Sequence, residues 1–492
     1  METLGCIAKK TCRQFSAQTA VAEGERSFTY AELRDRSFRL AKALHDKGLK
    51  KGDRVAILMS NRIEHVELDI AIALTGLVKV PLNYRLHAKE HEYILEHSGA
   101  SLLIGEDHLM QNVAGPLPRV AVGGAYESWL AASECAEPKT AVDEDDLFAI
   151  MYTSGTTGRP KGVMLSHRNF ISGALSLTMA CNLTHDDVIG HVAPLTHGSN
   201  FLAQCALLLG LKQVVFNRFE PEQFLEAIET ERITTVFLVP TMVNLMIHDK
   251  SFARRDLRSL RTINMAGAPM AAEKVKLALE LLGPKIVETY GQVEAPMTIT
   301  VMPRHELQHR PASCGAAGSF VELKIVDDEG SEVPAGQVGE IVCRGSLVMK
   351  GYWNNPEATA ETLKDGWLHT GDLGWVDEAG YLHIVDRKKD VIISGGANIY
   401  PREVEEVLNL HPAVKETCVF GIPDEKWGEA VCAHVVLREG QAASEQELIE
   451  LCKSHLASFK KPQRIHIVDS LPKSTYGKIL RKEIRETYGR NA

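Results

Sequence analysis

A loop rich in glycine and hydroxyl side chains, placed between two apolar runs, constrains the fold of this chain more than any other feature. Residues 152–162 read YTSGTTGRPKG, with three glycines, four serine or threonine hydroxyls and one lysine. The apolar runs 148–151 and 163–165 on either side predict short buried strands. Glycine lets backbone N–H groups approach an anion closely, and the hydroxyls and the lysine add donors. The loop therefore predicts a polyphosphate-binding turn between two strands.

The main alternative for this loop is the Walker A motif of P-loop kinases, in which a glycine is followed directly by lysine and Ser/Thr at the start of a helix. Here Arg159 and Pro160 separate Gly158 from Lys161, and Gly162 occupies the Ser/Thr position. A strand, in place of a helix, is predicted to follow. The spacing therefore excludes Walker A, and a glycine-threonine turn without a ligand stays open as the second alternative.

Composition narrows the class of protein. A chain of 492 residues exceeds one ordinary hydrophobic core, so two or more domains are expected. The net charge of −9 argues against nonspecific binding to nucleic acid. The ten cysteines form no C-x-x-C pair and no zinc-ligand spacing, so reduced thiols are expected. No secretory signal or membrane-spanning apolar run is recognised, which predicts a cytoplasmic enzyme.

Strand and helix patterns alternate from the N-terminal region to Leu260, as expected for helices that cover parallel sheets. Thr29 is predicted to cap a helix that begins near Ala31. Between residues 315 and 345 the pattern changes to short antiparallel strands. A shorter α+β segment follows from about Lys389.

Several motifs occur together in one order. They are FTYAEL at 28–33, the loop at 152–162, ETYGQVE at 288–294, HTGDLG at 369–374, and Gly477-Lys478. With this set the chain resembles the adenylate-forming superfamily, which includes acyl-CoA synthetases, the adenylation domains of peptide synthetases and firefly luciferase.

The resemblance implies an α/β fold in two domains. The N-terminal domain, residues 1–388, is expected to contain helix-flanked, mostly parallel sheets and a small β-barrel subdomain. A small, mobile α+β lid domain is expected over residues 389–492. The resemblance also implies that Lys389 is the hinge about which the second domain rotates between two half-reactions.

The same resemblance implies an ATP site with Mg²⁺. Tyr290 is expected to stack on adenine, while Thr156 and Glu294 are expected to hold the metal ion. Val293 departs from the family pattern, because it replaces a threonine whose hydroxyl usually contacts the α-phosphate. The predicted nucleotide-binding residues are Thr153, Ser154, Gly155, Thr156, Thr157, Gly158, Lys161, Gly267, Ala268, Glu288, Thr289, Tyr290, Gly291 and Gln292.

The remaining motifs complete the implied site. By resemblance, Asp372 and Arg387 bind the ribose or phosphate, and Gly395 and Gly396 line the pantetheine tunnel of coenzyme A. Lys478 is expected to enter the cleft during adenylation, where its amine stabilises the charge that develops. A further expectation places His197 beside the acyl pocket, as a gate and not as an acid or base. The predicted catalytic set is Lys478, Lys161, Glu294 and His197.

These features predict an ATP-dependent acyl-CoA ligase. A fatty or aromatic monocarboxylic acid, ATP, Mg²⁺ and coenzyme A are the expected reactants, and a homodimer is possible. Two alternatives stay open: a ligase that loads a separate phosphopantetheine carrier protein, and a nucleotide-binding homologue with a degraded site. No carrier segment follows Lys478, which favours free coenzyme A.

Overall fold

A computed structural model describes residues 2–153, 159–473 and 479–491, with side chains as far as Tyr488. The chain divides into two compact units. The first comprises residues Met1–Leu323 with Cys343–His369, and the second comprises Lys324–Val342 with Thr370–Ala492. The predicted boundary at Lys389 stays a prediction.

The described strands, numbered in chain order, are β1 (Thr19–Glu23), β2 (Arg26–Thr29), β3 (Arg54–Leu58), β4 (Val78–Leu82), β5 (Leu102–Gly105), β6 (Arg119–Ala121), β7 (Leu147–Thr153), β8 (Lys161–Ser166), β9 (Val188–His191), β10 (Lys212–Val215), β11 (Thr235–Leu238), β12 (Thr262–Met265), β13 (Ile286–Tyr290), β14 (Thr300–Met302), β15 (Ala316–Ala317), β16 (Val321–Val326), β17 (Gly339–Gly345), β18 (Gly351–Tyr352), β19 (Leu363–Lys364), β20 (Trp367–Val376), β21 (Leu382–Arg387), β22 (Ile392–Ser394), β23 (Ala397–Ile399), β24 (Val414–Asp424), β25 (Gly428–Leu437) and β26 (Arg464–Ile467).

The described α-helices, numbered in the same way, are α1 (Leu4–Gln14), α2 (Tyr30–Asp46), α3 (Ile63–Thr75), α4 (Ala88–Ser98), α5 (Asp107–Met110), α6 (Gly124–Ala131), α7 (His167–Cys181), α8 (Ser199–Leu209), α9 (Pro221–Thr230), α10 (Pro240–Ile247), α11 (Ala272–Leu282), α12 (Arg304–Leu307), α13 (Pro356–Thr362), α14 (Pro401–Leu408), α15 (Glu445–His455) and α16 (Arg481–Asn491). None of them is long and apolar enough to cross a membrane.

Two large sheets organise the first unit, as the alternating pattern predicts. One has the order β15-β14-β13-β12-β11-β9-β10-β1-β2, and the other β18-β8-β7-β4-β3-β5-β6. The pairs from β1 through β10, β9, β11 and β12 to β13 are all parallel. The predicted mostly parallel α/β architecture is confirmed. A third sheet, β16-β17-β20-β19 with β21 beside β20, is the predicted small barrel-like part.

Aromatic side chains of α7 and α8 fill the core that strands of both large sheets share. Phe170 and Phe201 stack at 4.6 Å, and Phe148 of β7 meets Phe170 edge to face at 4.9 Å. All three rings belong to one buried cluster that also contains Met151 and Phe237. Edge-to-face and stacked rings add specific geometry to ordinary apolar burial, so the two helices hold the sheets in a fixed arrangement.

The predicted N-cap at Thr29 is confirmed. Its side chain accepts from the backbone N–H of Glu32, whose carboxylate in turn accepts from the backbone of Thr29, so a complete capping box starts α2. The helix begins one residue before the predicted Ala31. Such a box fixes where the chain enters the helix, and so fixes the face that packs on the core.

The second unit contains an α+β layer, as predicted for the C-terminal part. Its sheet has the order β23-β22-β25-β24, with β26 parallel to β25. Helices α14 and α15 supply Val404 and Leu448 to the core on one face of this sheet. On the other face, Ile484 of α16 packs against Phe420 and its neighbours.

Buried histidines of the first unit, among them His167 and His191, make its stability depend on pH. Burial lowers the pKa of His167 and of His191 from 6.5 to about 4. Each imidazole is therefore neutral in the folded chain at pH 6, whereas the unfolded chain already binds a proton there. Stability is full above pH 6.5 and is lost as the pH falls toward 4, by about 1.4 kcal/mol per pH unit for each group at most.

Calorimetric unfolding between pH 6.5 and 4.5 measures this slope. Replacing His191 with glutamine should flatten it, because one titrating group is removed. His45→Gln, at a surface histidine whose side chain is 78% exposed, is the matched control and should leave the slope unchanged. Equal slopes in the parent chain and in H191Q would contradict the prediction.

Candidate functional site

The described flanks of the phosphate-binding loop form an antiparallel pair of strands. Thr153, the last residue of β7, lies opposite Lys161, the first residue of β8. The predicted strand–loop–strand arrangement is confirmed, and no helix follows the lysine as a Walker A loop requires. The predicted site residues that lie outside the described residues are Ser154, Gly155, Thr156, Thr157, Gly158 and Lys478.

A cation, a phenol and a carboxylate meet beside this loop. The Nζ atom of Lys161 lies 4.8 Å from the centre of the Tyr352 ring. The Tyr352 hydroxyl donates to Oε1 of Glu294 at 2.8 Å. Burial and the nearby Glu294 raise the pKa of Tyr352, so its hydroxyl stays protonated and donates. The geometry thus groups two of the predicted catalytic residues around a tyrosine that sequence analysis did not select.

The Glu294 carboxylate is suited to bind a magnesium ion that the nucleotide also holds. A carboxylate offers about four lone-pair sites, so the tyrosine hydrogen bond does not exhaust it. Mg²⁺ is usually held by one or two carboxylates together with substrate phosphates. In the described part of the chain no group of three or more His, Cys, Asp or Glu side chains could hold a metal ion. The single carboxylate of Glu294 is consistent with a metal ion that binds together with the nucleotide, whose phosphates supply further ligands.

The predicted adenine segments lie at one edge of the nine-stranded sheet. Gly267 and Ala268 follow β12, and Tyr290, Gly291 and Gln292 close or follow β13, its parallel neighbour. Ligands of open α/β sheets bind outside the carboxyl ends of the strands. A Cβ at Gly291 would stand 2.5 Å from the backbone nitrogen of Met297, so only glycine fits there. Glu288, in the same strand, is half-buried.

Val293 and Thr289 have separate structural explanations. Val293 packs against the main hydrophobic core, where the aliphatic side chain suits its surroundings. The Thr289 hydroxyl accepts from Nδ2 of Asn264 at 3.0 Å and is only 3% exposed. Thr289 is therefore poorly placed to replace the missing threonine hydroxyl at a phosphate, since that oxygen is committed to the core.

His197 comes to the same edge of the sheet, because it lies in the segment between β9 and α8. Its Nδ1 atom is 3.0 Å from the Thr196 hydroxyl. Burial lowers the pKa of His197 to about 4, so the ring is neutral near pH 7. A neutral, partly buried imidazole suits the wall of an apolar pocket better than proton transfer at neutral pH.

The neighbours of His197 are held by buried polar contacts. Asn200 accepts from Nζ of Lys79 at 2.8 Å and donates to Asp69 at 2.7 Å. The Ser199 hydroxyl lies 2.9 Å from Nδ1 of the buried His191. Both side chains are therefore engaged in the core. They fix the first turn of α8, which positions the segment that carries His197.

In the second unit, the predicted ribose-binding pair is brought together. Asp372 of β20 lies opposite Arg387 of β21 in antiparallel register, and Nε of Arg387 is 3.5 Å from its carboxylate. Gly371, at a φ of +69°, donates its N–H to Glu340 at 3.2 Å. The position before Asp372 in β20 therefore needs a residue that tolerates the left-handed region.

The predicted hinge residue Lys389 lies in a short 3₁₀ turn over Lys388–Asp390. Arg481, three residues beyond Lys478, binds this segment: its guanidinium lies 3.0 Å from Asp390, 2.8 Å from Glu405 and 3.6 Å from Asp386. Sequence analysis did not select Arg481, since nothing local distinguishes it from other arginines of the tail. Its ion pairs attach the start of α16 to the segment that contains the predicted hinge.

Gly395 and Gly396 form the two-residue turn of the β22–β23 hairpin. Their φ values of +59° and +81° match a turn in which both central residues are left-handed. A Cβ at Gly395 would stand 2.8 Å from Cε3 of Trp427. The turn itself therefore carries no side chain, while the Trp427 ring lies beside Gly395.

Comparison with known proteins gives consistent matches. The family model described as AMP-binding enzyme matches residues 8–353, and the model described as AMP-binding enzyme C-terminal domain matches residues 403–478. Feruloyl-CoA synthase from Amycolatopsis sp is 40% identical over 99% of both chains. Fatty acid–[acyl-carrier-protein] ligase ScoC from Streptomyces coeruleorubidus is 38% identical over 94% of this chain and 92% of its own. The structure of ATP-bound MatB from Rhodopseudomonas palustris superposes with a TM-score of 0.92 at 31% identity over 99% of both chains.

Proposed function

Because this chain belongs to the AMP-binding enzyme family, we propose that it is an ATP-dependent acid–thiol ligase that acts on an aromatic or fatty monocarboxylic acid. A carboxylate oxygen attacks the α-phosphorus of ATP, which gives an acyl-adenylate and pyrophosphate. The thiol of coenzyme A then attacks the acyl carbon, and AMP leaves. The observation that carries this proposal is the Lys161–Tyr352–Glu294 group beside the phosphate-binding loop.

In the first half-reaction, the protein positions the reactants and supplies positive charge to the phosphates. Lys161 and the loop that precedes it hold the phosphates, and Tyr290 supports adenine at the carboxyl edge of the sheet. When Mg²⁺ is bound, it offsets phosphate charge, with Glu294 as its protein ligand. Lys478 stabilises the charge that develops as the acid attacks. No protein nucleophile is needed, because the acid itself attacks.

In the second half-reaction, a change of the backbone angles at Lys389 withdraws Lys478 from the reacting groups. The same change brings the Gly395–Gly396 turn to them. The arm of coenzyme A passes along these two glycines, where side chains would obstruct it. The Asp372–Arg387 pair holds the ribose of the nucleotide, since a carboxylate accepts strongly from hydroxyl groups. These roles rest on the family resemblance together with the local geometry of each group.

The proposed acid is uncharged apart from its carboxylate. A neutral His197 and the small residues Ala266 and Gly267 leave room for an apolar acyl group. The relative named for feruloyl-CoA favours an aromatic acid. The relative named for a fatty acid and acyl-carrier-protein favours the second candidate, transfer of a fatty acyl group to a carrier.

A pyrophosphate-release screen tests the proposal. Aromatic acids of graded ring substitution and straight-chain acids of graded length are each offered with Mg·ATP, and thioester formation is followed with coenzyme A and with a phosphopantetheine-loaded carrier. We expect acid-dependent pyrophosphate release and transfer to coenzyme A. Transfer to the carrier alone would favour the second candidate, and no release with any acid would reject ligase activity. A cytoplasmic location and a homodimer stay predictions.

A further inference from the structure

A cavity of about 290 Å³ lies beside the phosphate-binding loop, on the side of helix α4. Arg159 and Lys161 contribute its positive charge, and Tyr93, His97 and Trp353 contribute its rings. The residues that line it in the described part of the chain include no aspartate or glutamate. A small concave site with cations attracts anions, and none of its described lining residues is a carboxylate that would compete for the positive groups.

The walls of this cavity are held by specific contacts. Tyr93 and His97, one helical turn apart on α4, stack at 5.4 Å, and the Tyr93 hydroxyl donates to the carbonyl of Pro160 at 3.3 Å. The Trp353 indole donates to the carbonyl of His97 at 3.2 Å, and its backbone N–H donates to Gly162 at 2.7 Å. Helix α4, the loop strand β8 and the segment after β18 are thus connected around one space.

Further polar groups suit an oxyanion ligand. Asn355 also lines the cavity; its Oδ1 atom accepts from the N–H of Ala358 at 3.0 Å, and its NH₂ group is a hydrogen-bond donor. The guanidinium of Arg54 lies 5.6 Å from the Trp353 ring and adds positive charge nearby. Nδ1 of His97 lies 2.7 Å from the Tyr152 hydroxyl, which fixes the imidazole.

We propose that this cavity is a second phosphate site, adjacent to the ATP site and sharing Lys161 with it, that takes the pyrophosphate released by adenylation. Lys161 belongs to the wall of the cavity and also follows the loop that holds ATP phosphates. A multiply charged anion leaving that loop therefore meets Lys161 first and Arg159 next, in a space whose described lining residues carry no acidic side chain. The proposal rests on the proposed ligase function for its ligand, but the binding site itself can be tested without turnover.

Two species in this reaction carry a phosphate group of the kind that the cavity would bind: pyrophosphate and coenzyme A, through its 3′-phosphate. Calorimetric titration with inorganic pyrophosphate, on enzyme saturated with a non-hydrolysable ATP analogue, isolates the cavity. We expect pyrophosphate to bind while the analogue occupies the nucleotide site. Mutually exclusive binding would overturn a separate site, whether or not the chain proves to be a ligase.

The variant Arg159→Gln tests whether pyrophosphate binds in this cavity. Because the variant removes one exposed charge-assisted contact, the Kd for pyrophosphate on the saturated enzyme should rise about tenfold. Arg258→Gln is the matched control, since that side chain is 91% exposed and pairs locally with Asp256; it should leave the Kd unchanged. A rise in the KM for coenzyme A but not for dephospho-coenzyme A, with pyrophosphate binding unaltered, would assign the cavity to the 3′-phosphate. No change in either quantity would overturn the phosphate site.

Discussion

Replacing Lys478 with alanine is expected to lower the rate of acyl-adenylate formation by about 100- to 1,000-fold, the usual effect of removing one group that stabilises developing charge. Thioester formation from supplied acyl-adenylate should stay within severalfold of the parent rate, because the amine has no part in that step. Single-turnover release of pyrophosphate measures the first half-reaction, and consumption of synthetic acyl-adenylate by coenzyme A measures the second.

The described neighbours of Lys478 support this prediction. Lys473 and Ile479 form an antiparallel bridge, and the N–H of Leu480 donates to Pro472 at 2.9 Å, so the chain is fixed on both sides of residues 474–478. Lys473→Ala is the matched control, because Lys473 pairs with Glu416 at 2.5 Å in the same unit. Comparable losses in both half-reactions of K478A, or a comparable loss in K473A, would argue against the proposed role.

Replacing Lys389 with proline is expected to impair one half-reaction by roughly 100-fold, the cost of a misplaced catalytic group, and to spare the other. Proline fixes φ near −65° and removes a backbone N–H, so a hinge at this position can no longer adopt two backbone conformations. The same two single-turnover measurements, made on K389P, report which state the proline retains.

The variant Lys389→Ala distinguishes an effect of the lost side chain from an effect of the restricted backbone. We expect this variant to keep both half-reactions close to the parent rates, because alanine preserves the freedom of φ and the N–H group. If K389P lost both activities equally, the hinge assignment would be wrong. Thermal unfolding of K389P serves as the folding control, because the turn over Lys388–Asp390 also accepts the ion pair from Arg481.

The sequence predicts those parts of the fold that local patterns determine. The apolar runs around the glycine-rich loop become β7 and β8, and the Thr29 capping box starts α2. The alternation of strands and helices yields parallel sheets, whose carboxyl ends bring Gly267, Tyr290 and the segment with His197 to one edge. The interactions that determine these features are short-range: helix capping, the periodicity of buried residues and the direction of parallel strands.

Long-range pairs could not be predicted. Tyr352 reaches Glu294 across 58 positions, and Arg481 reaches Asp390 across 91. Neither residue lies in a motif with a distinctive spacing, and each acquires its partner only when distant strands or helices meet. The same limit applies to Asn200, whose partners Lys79 and Asp69 in the interior are distant in the sequence.

The central claim is that the acid is activated as an acyl-adenylate before the thiol attacks. Its most direct test uses an acid whose carboxylate oxygens carry a heavy isotope, with Mg·ATP and coenzyme A, followed by mass spectrometry of the nucleotide product. We predict AMP that carries one labelled oxygen, because the carboxylate oxygen that bonds the α-phosphorus stays with AMP when the thiol attacks the acyl carbon and the C–O bond breaks. Unlabelled AMP, or label in inorganic phosphate together with ADP, would contradict this mechanism.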